Sequence, residues 1–351
     1  MIAYVKPKTI YIQVTTKCNY ACPMCFFFGE GYKEKAGEYF KDNPSLKPKN
    51  MPLEEAKSYV DKIADYGAKM VSMSPAAEFF VYPYWEEISR YIKSKGLKVS
   101  ATTNGSFITE EVVAKLKDIG FDEIIFSIDS IKKDTYAKVR SPREKDYQIA
   151  ISAPILAAKA GIYTQVHFVQ QKPNWGEKEE VFSFYRKHNV NVITSGVQSY
   201  MDPDSKNTIV QGTRYDYIHG LCGAYNNLVI LMDGNLVSCC GFIDFYKNIK
   251  SKLDEFSLRE HSIEEVLAYQ HNLFQKKDKD VMNLCYNCSS YQVAFKKERK
   301  TTIKEKYFIS DDGMTETNFK VPEKLRSLPE DVLFWLYQHN IITRMKQDKI
   351  L

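Results

Sequence analysis

From Thr9 onward, short runs of β-branched and aromatic residues alternate with longer stretches whose apolar positions recur at helical spacing. That alternation is the pattern of βα units in a parallel sheet. Strand runs begin at Thr9 and then cover 69–74, 97–103, 123–129, 163–169 and 190–194. Between them, helical patterns cover 52–66, 84–95, 109–117, 147–160 and 177–188. Pro52 suits a first turn, Thr109 suits an N-cap, and Gly67 and Gly96 stand where helices stop. The stretch 29–50, rich in Gly, Lys and Tyr, reads as a long loop. Six βα units are fewer than the eight of a closed barrel, so the expected fold is α/β, a partial (β/α)6 barrel with a lateral opening.

Beyond the barrel, Asp233-Gly234-Asn235 between two apolar runs predicts a β-hairpin, because primed turns need residues that accept positive φ. A helical interval follows. The segment 296–306 is charged, 311–313 is a turn, and 328–345 reads as a terminal helix with Phe334 and Trp335 on its apolar side. The expected division is 1–205 for the barrel, 206–295 for a small second subdomain and 296–351 for a C-terminal extension.

With 351 residues, 44% of them hydrophobic, the chain can bury a large core and is not disordered. The formal charge of +5 is small for this length, and the basic residues are interspersed with acidic ones, which argues against a nucleic-acid partner. Pairs such as Lys276-Lys277 and Lys296-Lys297 read as solvated faces. No apolar run is long enough for a membrane span and the N-terminus lacks the apolar core of a signal peptide, so a cytoplasmic protein is expected. The close grouping of the eight cysteines suits metal ligation in a reducing compartment better than a disulfide framework. The acceptor-like triplets at Asn104 and Asn287 then carry no glycosylation meaning.

The first strand run ends in Cys18-Asn19-Tyr20-Ala21-Cys22-Pro23-Met24-Cys25, a CxxxCxxC triplet. A 4Fe-4S cluster normally takes four thiolates, so three would leave one iron open to bind and activate another molecule. Structural zinc is the bland alternative, but it prefers paired knuckles with a fourth ligand close by. At these residues the chain resembles the radical S-adenosylmethionine (SAM) enzymes, whose triplet follows the first strand of a partial TIM-like barrel. The resemblance implies a cluster on Cys18, Cys22 and Cys25 that chelates SAM and cleaves it to methionine and a 5'-deoxyadenosyl radical.

The resemblance also implies further cofactor contacts at the carboxyl ends of the strands. Ala76-Ala77-Glu78-Phe79 stands where the family has Gly-Gly-Glu-Pro, which makes Ala77 and Glu78 the expected amino-group site despite the departures. Asn104 ends the third strand. Ser127-Ile128-Asp129 followed by Tyr136 through Arg140 resembles the family's Ser-Ile-Asp... Tyr-x-x-x-Arg run, implying contacts of Ser127 and Arg140 with the cofactor's carboxylate and ribose region. Met24 stands where relatives place an aromatic beside the adenine; Phe26 and Phe27 share that role or pack in the core.

A second group comprises Cys222, Cys239 and Cys240, and the Cys285-Tyr286-Asn287-Cys288 pair. It resembles the auxiliary-cluster subdomain called SPASM, or its short form called twitch. That resemblance implies a second 4Fe-4S cluster on Cys222, Cys239, Cys285 and Cys288. Cys240 is left over. It replaces Cys239 as ligand, packs as a small hydrophobe, or donates a hydrogen atom to a substrate radical.

The expected function is removal of a hydrogen atom from an unactivated C–H bond of a polar small molecule resembling a sugar or cyclitol, leading to dehydrogenation or epimerisation. Flavodoxin or ferredoxin is the electron donor that the family implies. The runner-up is a peptide-modifying maturase, disfavoured because the first strand begins near Thr9 and leaves little room for an N-terminal peptide-recognition domain. A non-catalytic iron-sulfur or zinc protein is the reading of another class. The histidines are scattered and read as structural.

Overall fold

The computed structural model describes residues 8–73, 75–196, 217–218, 221–222, 228–237, 246–275, 301–304, 307–310 and 316–320. Six strands, β1 (Thr9–Ile12), β2 (Met70–Met73), β3 (Lys98–Thr103), β4 (Glu123–Ser127), β5 (Tyr163–Gln170) and β6 (Asn191–Gly196), pair in parallel in that order. Seven helices connect them: α1 (Lys33–Asp42), α2 (Leu53–Tyr66), α3 (Trp85–Ser94), α4 (Glu110–Ile119), α5 (Lys133–Val139), α6 (Glu144–Lys159) and α7 (Lys178–Arg186). This is the expected α/β partial barrel. Helix α2 stops where Gly67 turns left-handed at φ 79°, and Thr109 caps α4 by accepting the Val112 N–H.

The register divides the sheet into two unlike faces. Ile10, Ile12, Val71, Val99, Ile124, Phe126, Val166, Phe168 and Val192 share the face packed by helices, and all are buried. Burying each such side chain contributes about 1.5–3 kcal/mol. The opposite face is largely polar, with Met70, Ile125 and Ile193 among its polar positions. Ser72 lies beside Ser100 with their hydroxyls 3.1 Å apart, Ser100 beside Glu123, Ser127 beside His167, and Gln165 beside Asn191. Parallel sheets covered on both faces carry apolar residues on both. A largely polar face therefore marks the concave side, lined for contents other than core.

The stretch 29–50 differs from the expected loop, because it contains α1 and two single-turn 3-10 helices, Glu30–Tyr32 and Pro44–Leu46. The helix has little apolar content of its own. It forms because Tyr39 packs edge-on against Phe26 and Phe27, which the cysteine loop presents to it.

The sheet also runs across the boundaries expected near 205 and 295. The predicted hairpin is present as β9 (Val229–Ile230) and β10 (Leu236–Val237), preceded by the small ladder of β7 (Tyr217–Ile218) and β8 (Leu221–Cys222). Strand β9 pairs in parallel with β1, so the hairpin extends the barrel edge. Helices α8 (Tyr246–Asp254) and α9 (Ile263–Gln275) follow, as the helical interval predicts. In the extension, where no strand was expected, β11 (Thr301–Lys304), β12 (Tyr307–Ser310) and β13 (Glu316–Lys320) form an antiparallel meander joined to β6. The terminal helix expected over 328–345 lies outside the described residues. Among the described residues, no helix is long and apolar enough to cross a membrane.

Candidate active site

Past β1 the chain is pinned before it reaches the first cysteine. Thr16 donates its N–H to the Lys49 carbonyl at 2.9 Å and its hydroxyl to the Lys47 carbonyl at 2.8 Å. Thr15 donates to the Asn50 side chain at 2.8 Å. The triplet then folds on itself: the Cys25 N–H donates to the Cys22 carbonyl and the Gly29 N–H to the Cys25 carbonyl, both at 2.8 Å. A Cβ on Gly29 would stand 2.6 Å from the Cys25 carbonyl oxygen and 2.8 Å from that of Cys22, so this closure requires glycine.

Cys22 is buried, while Cys18 and Cys25 are half-buried. Burial pushes the Cys18 thiol up to about 12, opposed by the Tyr20 N–H, which lies 3.4 Å from the sulfur. Burial likewise raises Cys22, opposed by Arg140, and Cys25, opposed by the backbone N–H groups of Phe28, Phe27 and Gly29. Among the described residues no three His, Cys, Asp or Glu side chains gather around one ion position. A cluster makes a different demand, since each thiolate ligates its own iron and the sulfurs stand further apart than ligands of a single ion. Three thiols on one closed loop, each with an N–H or guanidinium donor ready for a thiolate, fit that demand.

Neighbouring loops clamp this one. Asn19 accepts from the Asn104 amide at 2.8 Å and donates to the Ser106 hydroxyl at 2.9 Å. Tyr20 meets Tyr136 hydroxyl to hydroxyl at 3.1 Å, and Arg143 donates to the Asn19 carbonyl at 3.0 Å. The loop after β2 docks through the Glu78 N–H on the Lys17 carbonyl at 3.0 Å. The Glu78 carboxylate, 1% exposed, accepts from the Asn104 N–H at 2.7 Å, the Thr103 hydroxyl at 2.8 Å and the Phe80 N–H at 3.2 Å. It is a brace between β2 and β3. Burial raises its pKa to about 7 against the pull of those donors. The backbone just before it is accessible instead: Ala76 is exposed, Ala77 is half-buried, and Ala76 takes the left-handed φ of 63°.

Ser127 ends β4 on the polar face and is half-buried, as is Met24 in the cysteine loop. Arg140 sits just past α5 with 8% of its side chain exposed. Its Nε stands 2.5 Å from the fully buried Asp129 carboxylate, an ion pair whose N–H is not aligned as a hydrogen bond. Its Nη1 lies 3.9 Å from the Cys22 sulfur. Burial works against the guanidinium charge, but Asp129 and Cys22 outweigh it and hold Arg140 protonated.

Of the second cysteine group, only the backbone of Cys222 is described, in β8 opposite Tyr217. Cys239, Cys240, Cys285 and Cys288 lie outside the described residues. The hairpin β9–β10 is firmly seated. Asp233 accepts from Ser45 at 2.7 Å and Tyr246 at 2.6 Å, and Asn235 donates to Tyr246 and Asp254. Sequence reasoning missed Asn19, Tyr20, Gly29 and Arg143, whose partners are mostly distant in the chain. The only local signal was their position inside or close after recognisable motifs.

Comparison with known proteins agrees with this geometry. The model of the Radical SAM superfamily matches residues 12–185, and that of the SPASM iron-sulfur cluster-binding domain matches residues 222–289. The tungsten-containing aldehyde ferredoxin oxidoreductase cofactor-modifying protein of Pyrococcus furiosus is 28% identical over 122 residues, 35% of this chain and 31% of that protein. The AdoMet-dependent heme synthase of Methanosarcina barkeri is 25% identical over 181 residues, 52% of this chain and 48% of that protein. The chain thus spans half or less of these relatives. In fold it resembles Streptococcus suis SuiB bound to its precursor peptide SuiA, with TM-score 0.57, 11% identity, and coverage of 82% of this chain and 71% of that one. The AdoMet-bound form of anSMEcpe gives TM-score 0.51 and 13% identity over 82% of this chain and 87% of that one.

Proposed function

The chain belongs to the radical SAM superfamily, with a SPASM-type iron-sulfur cluster-binding domain after the barrel, and on that premise we propose that it is an oxidoreductase acting on an unactivated C–H bond of a polar substrate. Enzymes of this make-up use 4Fe-4S clusters and SAM. When bound, these would supply the hydrogen-atom acceptor and the one-electron acceptor that, with release of the hydroxyl proton to water, turn a carbinol into a carbonyl. The observation that carries the reading is the closed loop of Cys18, Cys22 and Cys25 at the carboxyl end of β1, the first strand of a parallel sheet whose concave face is largely polar.

In this reading Cys18, Cys22 and Cys25 hold the site cluster. The backbone at Ala76 and Ala77 would take the cofactor's amino group, while Glu78 and Asn104 hold the loops that present it. Met24 would contact the adenine, and Ser127, at the end of β4, would add a hydroxyl donor to the cofactor. Cys222, Cys239, Cys285 and Cys288 hold the auxiliary cluster, with Cys240 as the unassigned thiol. The electron donor is flavodoxin or ferredoxin.

A second reading, a peptide-modifying maturase, is favoured by the fold likeness to peptide-bound SuiB and to peptide-bound anSMEcpe, the latter with TM-score 0.51. Anaerobic reconstitution decides between them. Deuterium carried from a labelled polyol into deoxyadenosine supports the first reading, and transfer from a peptide alone replaces it with the second. Cys25→Ala abolishes SAM cleavage in both. For Cys240, replacement by Ala keeps both clusters if it is not a ligand, and loss of an epimerised product would then assign it as the hydrogen donor.

A further inference from the structure

We propose that Arg140 is a positioning residue for the site cluster: its guanidinium is aimed at the Cys22 sulfur by Asp129 and sets the cluster's reduction potential. The inference rests on the assignment of Cys22 as a cluster ligand. It goes beyond the cofactor contact expected for Arg140 from the resemblance.

The geometry begins at the end of α5. Arg140 leaves the helix with φ −129° and ψ −78°, and its side chain is buried to 8% exposure beside Asp129, which is 0% exposed. Asp129 is itself fixed. Its carboxylate accepts the Val169 N–H at 2.8 Å and the Gln171 amide at 3.2 Å, and its carbonyl accepts the Asn174 amide at 2.8 Å. The carboxylate stands 2.5 Å from Nε and holds the charged guanidinium at this buried position, from which Nη1 reaches towards the cysteine loop. It points at Cys22, 3.9 Å from Sγ.

A positive charge held at that distance from a ligating thiolate, away from water, favours the cluster state with one more electron. Hydrogen bonds to cluster sulfurs and local charge are the means by which proteins move such potentials. Arg143 provides the contrast. It touches the same loop through the Asn19 carbonyl, but 54% of its side chain is exposed and it pairs with Asp146, so solvent screens it.

The test is a redox titration of the reconstituted full chain followed by electron paramagnetic resonance, without SAM, so that a contact of Arg140 with the cofactor cannot contribute. The auxiliary cluster serves as internal reference. At the wild-type midpoint, Arg140→Gln is expected to lower the reduced-to-oxidised ratio of the site cluster about tenfold, ~59 mV for a one-electron couple. Arg140→Lys, with charge but no fork, falls between, and Arg143→Gln leaves the ratio unchanged. Equal ratios in wild type and Arg140→Gln overturn the proposal, as does an equal drop in Arg143→Gln. If Arg140→Gln takes up no site cluster, Arg140→Lys carries the test: a lowered ratio supports the proposal, and an unchanged ratio, or no cluster there either, overturns it. A wild-type protein whose cluster spectrum does not respond to added SAM would instead defeat the functional reading, independently of these ratios.

Discussion

The Glu78 carboxylate accepts the backbone N–H of Asn104 at 2.7 Å, so one buried acid ties the loop after β2 to the loop after β3 beneath the cysteines. Burial raises its pKa from 4.5 to about 7. Between those values the folded protein binds a proton that the unfolded chain has released, so stability is fully present below about pH 4.5 and falls as pH rises to about 7. The slope amounts to up to about 3 kcal/mol across the window. Glu78→Gln flattens it, whatever it does to absolute stability, and denaturant unfolding at pH 5 and pH 7.5 checks the difference.

Ala76 stands exposed at φ 63°, a conformation that costs a residue with a Cβ about 1–2 kcal/mol. Glycine removes that strain and returns part of the gain through its freer unfolded chain. Ala76→Gly is therefore expected to stabilise the protein by about 0.5–1 kcal/mol, read as a rise in thermal midpoint. A fall would mean that the alanine methyl makes a contact which its exposure argues against.

Gly29→Ala places a methyl group against two carbonyl oxygens of the cysteine loop, at 2.6 and 2.8 Å, and neither can yield without opening the loop. Iron content should drop by about half, from about eight to about four per chain, with SAM cleavage lost. Far-UV circular dichroism should stay unchanged, because the contact lies outside the sheet. Full iron content with full cleavage would sink the idea.

Asn19 links the triplet to the loop after β3 through both Asn104 and Ser106. Asn19→Ala leaves the Asn104 amide short of a partner and should cost about 1–3 kcal/mol. In a double-mutant cycle with Asn104→Ala the coupling should be about 0.5 kcal/mol or more, whereas unlinked residues would give additive losses.

Much of the barrel was legible because it is written in local periodicity. β5 alternates Tyr163, Gln165 and His167 with Thr164, Val166 and Phe168, and Thr109 and Gly67 mark helix ends by their own chemistry. Helix α1 was not legible, since its formation depends on Phe26 and Phe27 offering a surface to Tyr39. Strands β11 to β13 were missed for the same reason: they are completed by β6, more than a hundred residues earlier. The Glu78 motif position was readable, but the direction of its carboxylate was not. Only the packed loops place three donors around it.

By itself, the sequence determined which atoms can take part: three thiols within eight residues, a glycine close behind them, and a strand to carry them, all set by covalent spacing and short-range backbone preference. The tertiary structure decided what surrounds those atoms. Asn104, Tyr136, Arg140 and Arg143 reach the loop across separations of 85 to 124 residues. Which of them would arrive, and with what exposure, depended on how the helices pack on one face of the sheet and leave the other largely polar. Burial and orientation are properties of that packing, and no window along the chain contains them.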